Sequence, residues 1–426
     1  SFPKIDIQVE ELDKIKLPKM VKVKQYFDNY KIEDPSSVIK KELQTKIYDT
    51  KWYKDKSIAI TVGSRGIPYN YIIVKSLVEQ LLNWGAKPFI VPAMGSHGGA
   101  IAEGQTALLE SYGISEKKIG APILSSMEVK KIGTLRDGTP IYCDKYASEA
   151  DGIVIYNKIK PYTDFKGNHE SGLLKMMAIG LANNKGASYF HMMGLKTFSS
   201  RLPQVGKIFL DNLPIVFGVA VVQNAYDELS KLEVVLPDEI IKREAELLKI
   251  AKEKMAKFKF DDIDVLIIDE IGKNISGSGL DPNVVGRNLS NDIIDILNLQ
   301  KLFIRGLSKE SHNIGIGISL ADITTRRCLN NINFKDTWAN SVTSTIIKSG
   351  SIPIYAETDK EAILIAIRTC NGIDFNNAKV VRIKNTLELS EIEVSESYLK
   401  CLKDKKDIEI IGEPYDMKFD DNGFLT

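Results

Sequence analysis

A chain of 426 residues is longer than one hydrophobic core usually supports, so its length predicts two domains. Hydrophobic residues make up 43% of the sequence and charged residues 27%, which is the balance of a soluble globular protein and excludes disordered and membrane-spanning classes. The formal net charge of +1 provides no global field that would attract nucleic acid or anionic lipid. Neither is therefore expected as a partner.

Four cysteines are widely spaced along the chain, at Cys143, Cys328, Cys370 and Cys401. None belongs to a CxxC pair or lies at zinc-finger spacing from a histidine. Such thiols suit a reducing compartment, so we expect a cytoplasmic protein in which each cysteine is a small buried apolar residue. The longest apolar stretch, residues 213–222, has about half the length that a membrane-spanning helix needs.

Short β-branched strands alternate with amphipathic helices in the first part of the chain. Repeated strand–loop–helix units of this kind indicate a parallel sheet with helices on its faces. In chain order the predicted elements are a strand over 57–62, a helix over 69–84, a strand over 87–94, a helix to about residue 112, a hairpin insertion over 129–142 and a strand over 152–156.

A long helix over 238–258 precedes a second α/β region, with strands at 265–269, 302–305 and 379–383 and a helix at 360–369. The domain boundary is therefore expected near residue 260, giving domains 1–260 and 261–426. The predicted fold class is α/β, with two α/β domains, parallel-rich sheets and an active-site cleft between the domains. Ligands of open α/β sheets bind beyond the carboxyl ends of strands, which here are the loops after Val62, Met94 and Tyr156.

Common nucleotide and nucleophile motifs are missing from the sequence. There is no GxxxxGK[ST] phosphate loop and no GxSxG elbow. Gly277-Ser278-Gly279 and Gly315-Ile316-Gly317 begin like dinucleotide fingerprints but lack the third glycine at the right spacing. A conventional NAD or ATP enzyme is therefore disfavoured.

Three residues stand out for their chemistry. His97 is one of four histidines and lies between glycines, which let a ligand approach the backbone closely, although a histidine hydrogen-bonded in a turn fits the same pattern. Lys175 lies in an apolar, glycine-containing run, where it is either a surface lysine with a buried stem or a desolvated functional amine. His191 is also among apolar neighbours, and on pattern alone a core histidine is the simpler interpretation.

Several spaced motifs, taken together and in order, resemble one family, that of nickel-dependent lactate racemase and its homologues. The resemblance extends over nearly the whole chain. The motifs that carry it are Val62-Gly63-Ser64-Arg65-Gly66, the run from Lys87-Pro88-Phe89 through Met94-Gly95-Ser96-His97-Gly98-Gly99 to Glu103-Gly104-Gln105, Asn157-Lys158-Ile159-Lys160-Pro161, Glu170 to Lys175, Gly186-Ala187 with His191, and Gly272-Lys273 through Asp281 to Arg287.

The resemblance implies a covalently attached cofactor, the nickel-pincer nucleotide, which is pyridinium-3,5-bisthiocarboxylic acid mononucleotide nickel. It implies that Lys175 is the attachment point and that His191 is the protein ligand of nickel. Nickel(II) prefers a square-planar arrangement of ligands, which the sulfur-bearing cofactor and one imidazole together would suit. The glycine-rich loop would line the cofactor through Gly95, Ser96, Gly98 and Gly99. The resemblance also implies partner enzymes that make the cofactor.

The implied reaction is the racemisation or epimerisation of a 2-hydroxyacid by reversible hydride transfer to the cofactor, through a 2-keto acid. The resemblance assigns the substrate carboxylate to Arg65, since a guanidinium binds it in bidentate fashion, and one acid/base role to His97. It also predicts a second base on the other face of the substrate.

The chain departs from the family at Tyr162, where related sequences generally have the second catalytic histidine. A tyrosine with an unperturbed pKa of about 10 needs help to act as a base at neutral pH, from Lys158, Lys160 or the cofactor's charge. His169 or His312 are alternative bases. The set of residues that lactate racemase uses around its substrate is also incomplete in this sequence, so we expect a substrate larger or more polar than lactate. The candidate residues for binding it are Lys273, Arg287 and His312.

Three functions therefore remain open. The first is a racemase or epimerase of such a 2-hydroxyacid. The second is a redox protein of the same family that does not invert its substrate efficiently, because Tyr162 replaces the second histidine. The third is a non-catalytic protein that binds or stores the nucleotide.

Overall fold

The computed structural model describes residues 1–10, 12–64, 66–192, 194, 197–289 and 296–426. Within these residues the chain forms two compact units. The central unit is Asp28–Met255, and the composite unit joins Ser1–Phe27 to Ala256–Thr426. The division after Met255 lies close to the predicted boundary near residue 260. The first 27 residues, however, belong to the composite unit and not to the domain that the sequence assigned them to.

The strands of the described residues are numbered in chain order. They are β1 (Met20–Gln25), β2 (Ser57–Val62), β3 (Lys87–Pro92), β4 (Val129–Thr134), β5 (Pro140–Asp144), β6 (Gly152–Lys158), β7 (Ile215–Gln223), β8 (Leu229–Val235), β9 (Asp262–Ile268), β10 (Asn298–Ile304), β11 (Ile323–Thr325), β12 (Ile354–Ala356), β13 (Val380–Ile383), β14 (Glu391–Ser395) and β15 (Ile408–Tyr415).

The helices are numbered in the same way. They are α1 (Pro35–Lys46), α2 (Asn70–Asn83), α3 (Ala102–Ser111), α4 (Glu116–Ile119), α5 (Lys145–Glu149), α6 (Leu173–Lys175), α7 (Asn183–Met192), α8 (Phe198–Asn212), α9 (Ile240–Lys254), α10 (Pro282–Val285), α11 (Arg326–Asn330), α12 (Phe334–Thr343), α13 (Asp359–Arg368) and α14 (Leu399–Leu402). No helix among the described residues is long and apolar enough to cross a membrane.

The central unit contains a five-stranded sheet in the order β3-β2-β6-β7-β8. Neighbouring strands run parallel except for β7 and β8, which pair antiparallel. Side chains alternate between two cores along β2, so that Ala59 faces the core with α8 and α9, while Ile58 and Ile60 face the core with α1 and α2. The sheet is therefore covered by helices on both faces, as the alternating elements predicted. The predicted hairpin is confirmed as β4 and β5.

The composite unit contains an eight-stranded sheet, counted over the described residues, in the order β12-β11-β10-β9-β13-β14-β1-β15. In this order, each neighbouring pair among the first five strands, β12-β11-β10-β9-β13, is parallel. Each neighbouring pair among the last four, β13-β14-β1-β15, is antiparallel. The N-terminal segment joins this unit because β1 pairs with both β14 and β15. Both units are thus α/β with parallel-rich sheets, and the predicted fold class is confirmed at that level.

The cysteine prediction holds for three of the four residues. Cys143, Cys328 and Cys370 are buried free thiols, and burial raises the pKa of each. Cys401 is exposed, so the expectation that every cysteine is buried was wrong. Its position in α14 explains the difference, because Leu402 provides the buried side of that short helix.

Candidate active site

The loops that follow three parallel strands of the central unit meet one segment, residues 172–180. A Cβ at Gly63, after β2, would lie 3.1 Å from Met176 Cε. The Gly95 amide, after β3, donates to the Gly180 carbonyl over 3.1 Å. Asn157 Nδ2, at the end of β6, donates to the Gly172 carbonyl over 2.7 Å. The carboxyl ends of these strands therefore surround the segment that contains Lys175, as expected for an open α/β sheet.

The glycine-rich loop after β3 is fixed from beneath by α3. Gln105 is fully buried, and its Nε2 donates to the carbonyls of Gly95 (3.1 Å) and His97 (3.3 Å). Gly98 has a φ of +66°, and a Cβ there would lie 2.7 Å from the Gln105 amide nitrogen. Glycine is thus required at Gly98, both for its left-handed backbone and for the close approach of the loop to α3.

His97 is exposed at the tip of this loop. Its Nδ1 forms a short hydrogen bond with Ser64 Oγ, in the loop after β2. The Tyr112 hydroxyl donates to the Ser64 carbonyl over 2.6 Å and so fixes that loop. When the serine oxygen accepts the Nδ1 proton, Nε2 keeps the lone pair that a general base needs.

Lys175 ends the short helix α6 and is followed directly by a π-helical turn, Met176–Gly180. The bond from the Leu181 amide to the Met176 carbonyl, 2.9 Å long, closes this wider turn. Single π-helical turns are rare and occur frequently at functional sites. The turn changes the direction of the chain between Lys175 and α7.

The Lys175 amine lies over the ring of Tyr162, with Nζ 3.9 Å from the ring centroid. Both side chains are half-buried. An ammonium group over an aromatic face is attracted by the ring quadrupole. The structure therefore brings together the lysine predicted to bind the cofactor and the tyrosine at the position where the resemblance predicts a histidine.

The loop of Tyr162 is organised by Glu170, whose side chain is fully buried. Its carboxylate accepts from the amides of Tyr162 (2.7 Å) and Gly167 (3.1 Å). It also pairs with Lys252 on α9, with Nζ and Oε1 2.6 Å apart. A buried carboxylate satisfied by this many donors holds the loop in one conformation.

The first turn of α6 is bound by a second glutamate, Glu244 on α9. Its Oε2 accepts from the Leu174 amide over 2.8 Å. The side chain is 1% exposed, and Oε1 has no hydrogen-bond partner among the described residues. Burial raises the pKa of the Glu244 carboxyl to about 7, while the amides of Leu174 and Leu173 act to lower it.

Two predicted site residues fall outside what the structure describes. Arg65 is not among the described residues, and the side chain of His191 is not described either, although His191 belongs to α7. The start of α7 is well anchored, because Asn183 Nδ2 donates to Asp144 Oδ2 and to the Ser126 carbonyl, each over 2.9 Å. Among the described residues, no group of three or more His, Cys, Asp or Glu side chains is placed to hold a metal ion.

The two alternative bases differ in their surroundings. His169 is buried, and its Nε2 lies 2.8 Å from the Ile241 carbonyl. A carbonyl only accepts hydrogen bonds, so Nε2 of His169 carries a proton and links this segment to α9. His312 is exposed in the composite unit with a φ of +49°.

The predicted substrate residues Lys273 and Arg287 also belong to the composite unit, and both side chains have partners. Lys273 Nζ donates to Asn340 Oδ1. Arg287 donates to Asp322 Oδ2 over 2.6 Å and also to two backbone carbonyls, those of Leu320 and Gln300. These three hydrogen bonds of the Arg287 guanidinium connect a strand and a loop of the composite unit, so Arg287 has a structural role.

The described residues are compatible with a nucleotide bound at Lys175. Lys175 itself is half-buried and not fully enclosed. Gly99 has a φ of +70°, and the nearest heavy atom to a Cβ there would lie 3.9 Å away, so the loop leaves space for a ligand close to its backbone. The apolar neighbours Leu173, Leu174 and Met176 are buried beneath the lysine.

The supporting roles of three residues were not predicted from the sequence, although two of them, Gln105 and Glu170, lie in the motifs that carry the resemblance; the third is Glu244. Glu244 had a recognisable signal, since it lies four residues after Ile240 and three before Leu247 on the buried stripe of α9. A glutamate on an apolar stripe requires a buried partner. Gln105 and Glu170 had no such signal, because their partners are backbone groups of loops.

Comparison with known proteins gives one family match. Residues 10–202 match the model of the lactate racemase N-terminal domain, which is slightly less than half of the chain. That range contains the glycine-rich loop, Tyr162, Lys175 and α7. No curated protein matches the chain significantly.

Two solved structures are similar in fold. One is a structural-genomics crystal structure of a protein from Thermotoga maritima, with a TM-score of 0.48 and 15% identity, covering 78% of this chain and 82% of that one. The other is the lactate racemase apoprotein from Thermoanaerobacterium thermosaccharolyticum, with a TM-score of 0.49 and 15% identity, covering 85% of this chain and 93% of that one.

Proposed function

We propose that this chain, whose residues 10–202 match the lactate racemase N-terminal domain, is a racemase or epimerase of a 2-hydroxyacid that depends on a nickel-pincer nucleotide attached to Lys175. The observation that supports this most directly is the position of the half-buried Lys175, whose Nζ lies 3.9 Å from the ring centroid of Tyr162, in the segment on which three strand-end loops converge. The cofactor would be held by Lys175, by His191 as nickel ligand and by the loop of Gly95, Ser96, Gly98 and Gly99.

When bound, the nucleotide supplies an acceptor for the hydride at C2 of the substrate. The chain's own residues bind the substrate and move the hydroxyl proton. Arg65 would bind the substrate carboxylate through two parallel hydrogen bonds, which a guanidinium provides and an ammonium does not. His97 would take the hydroxyl proton at Nε2, with Nδ1 oriented by Ser64.

Inversion requires hydride transfer on both faces of the planar 2-keto acid and a base for the hydroxyl proton of each enantiomer, and we assign the second proton-transfer role to Tyr162. Its phenol would donate or accept the hydroxyl proton, while its ring supports the Lys175 side chain. A second candidate function follows from the same contact. If the ring serves only as a wall for the lysine, the protein oxidises one enantiomer and does not invert it efficiently.

The proposal is tested by co-expressing the full chain with the enzymes that make the cofactor. Intact-mass analysis reports the covalent adduct, and metal analysis reports nickel. A chiral screen of 2-hydroxyacids larger or more polar than lactate, deuterated at C2, then separates the functions. Deuterium kept at C2 with inverted configuration supports a racemase, and conversion of one enantiomer alone supports the redox alternative. An adduct and nickel without turnover of any substrate would indicate nucleotide binding only.

A further inference from the structure

The last helix of the central unit contacts the candidate site through three different residues. Lys252 pairs with Glu170, which holds the loop of Tyr162. The carbonyl of Ile241 binds His169. Glu244 binds the first turn of α6. The helix α9 thus contacts the segment before Lys175 at His169, Glu170 and Leu174.

The side chain of Glu244 packs closely against the backbone at the start of α6. The side chain approaches the backbone of Gly172 so closely that a Cβ there would lie 2.6 Å from the carboxylate. Gly172 has a φ of 180°, an extended conformation open to any residue, so the contact with Glu244 is what opposes a side chain at this position. The Gly172 carbonyl is bound by Asn157 Nδ2 on the other side. The start of α6 is therefore fixed between β6 and α9.

α6 is the first turn of a helical segment that continues into the π-helical turn, and the amides at the start of such a segment have no acceptor within the helix. The carboxylate of Glu244 supplies an acceptor for the Leu174 amide, directly before Lys175. A carboxylate is a better acceptor for an amide at a helix start than a neutral group is. Burying the Glu244 carboxylate costs free energy, because its Oε1 has no hydrogen-bond partner among the described residues. If residue 244 only filled the core, an apolar side chain would be more stable there.

We propose that Glu244 is a positioning residue for the cofactor attachment site: by binding the first turn of α6, it holds the Lys175 amine over the ring of Tyr162. The role of Lys175 as attachment site rests on the proposed function, whereas the positioning of its side chain does not. The raised pKa of the Glu244 carboxyl agrees with deep burial and with a hydrogen bond to the backbone in place of an ion pair.

The test measures how fast an amine-reactive acetylating reagent modifies Lys175 in the full chain without cofactor, by quantitative peptide mass spectrometry. Lys87 and Lys207, each with 70% of the side chain exposed, report general reactivity within the same unit. We expect Glu244→Ala to raise Lys175 acetylation roughly three- to tenfold, as loss of one buried hydrogen bond allows, with both reference lysines unchanged. Glu244→Gln, which keeps an acceptor of the same length, should stay within about twofold of the unsubstituted protein.

Glu253→Gln is the matched control, because Glu253 is an exposed glutamate on the same helix. Gly172→Ala is an independent variant that displaces the carboxylate from the opposite side, and we expect the same selective increase at Lys175. If Glu244→Ala does not fold, Gly172→Ala decides the question alone. Unchanged acetylation of Lys175 in the folded variant would overturn the proposal, as would equal increases at Lys175 and the reference lysines.

Failure of the proposed function gives a different result. In that case co-expression with the cofactor-making enzymes yields no adduct on the unsubstituted protein, while the acetylation pattern stays as described. If both proposals hold, Glu244→Ala lowers the fraction of protein that carries the adduct, and Glu244→Gln restores it. A full adduct on Glu244→Ala would mean that attachment does not depend on this contact.

Discussion

The Lys175 amine is held against the face of Tyr162, with Nζ 3.9 Å from the ring centroid. One residue of this pair is the predicted attachment site and the other replaces the expected histidine. The contact means that a change at either position affects the other. A cation at this distance from an aromatic ring is stabilised by about 0.5–2 kcal/mol.

If Lys175 is the attachment site as proposed, replacing it by alanine should abolish the covalent adduct, because this amine belongs to the segment on which the strand-end loops converge. Intact-mass analysis after co-expression with the cofactor-making enzymes measures the result. Lys185→Ala is the matched control, since Lys185 also lies over a tyrosine, with Nζ 4.8 Å from the Tyr142 ring centroid. An adduct of the same mass on Lys175→Ala would refute the attachment site.

Tyr162→Phe keeps the ring under Lys175 and removes only the hydroxyl. We expect the adduct to form normally and hydride transfer to fall by roughly 10²–10⁴-fold for one enantiomer, as is typical when a general acid–base is lost. If the protein is a racemase as proposed, Tyr162→His should retain or raise racemisation, because it places a histidine where the resemblance predicts the second base. Single-turnover kinetics with each enantiomer measure both effects. Unimpaired transfer for both enantiomers in the Phe variant would make Tyr162 a wall of the pocket.

The sequence predicted the central sheet well because its parallel strands are short, apolar and separated by glycine-rich turns, as residues 57–62 and 87–92 are. It did not predict that Met20–Gln25 pairs with strands nearly 400 residues away, since alternating polar and apolar residues indicate a strand but not its partner.

The candidate site shows the same difference between local and distant information. The glycine-rich loop of Gly95 and Gly98 could be recognised from the local pattern, whereas the role predicted for Lys175 rests on the family resemblance. The cation–ring contact and the support from α9 could not, because both depend on segments that come together only in the folded chain.

Gly98→Ala should destabilise the protein more than an ordinary glycine replacement. Gly113→Ala is the control, because Gly113 has a φ of +78° but open space around a Cβ, so it reports the backbone cost alone, about 1 kcal/mol. At Gly98 the Cβ would in addition lie 2.7 Å from the Gln105 backbone, which should cost about 1–3 kcal/mol more. Urea denaturation measures the free energy of unfolding of both variants. An equal decrease in the two would show that the loop moves freely away from α3.

The last prediction concerns how stability depends on pH through Glu244. Its pKa is raised from 4.5 to about 7 in the folded protein, so the folded chain keeps a proton that the unfolded chain has lost over that range. The free energy of unfolding therefore falls as pH rises from about 4.5 to about 7, by up to about 3 kcal/mol, and changes no further above it.

Glu244→Gln removes this dependence because the amide is neutral at every pH. We expect the free energy of unfolding of the variant, minus that of the unsubstituted protein, to increase between pH 5 and pH 8. Asp144, whose pKa burial raises to about 6, titrates in both proteins and cancels in the difference. Glu253→Gln should show a flat difference over the same range, since that side chain is exposed. A flat difference for Glu244→Gln as well would mean that its carboxyl is solvated in the folded protein and does not bind α6 as the structure shows.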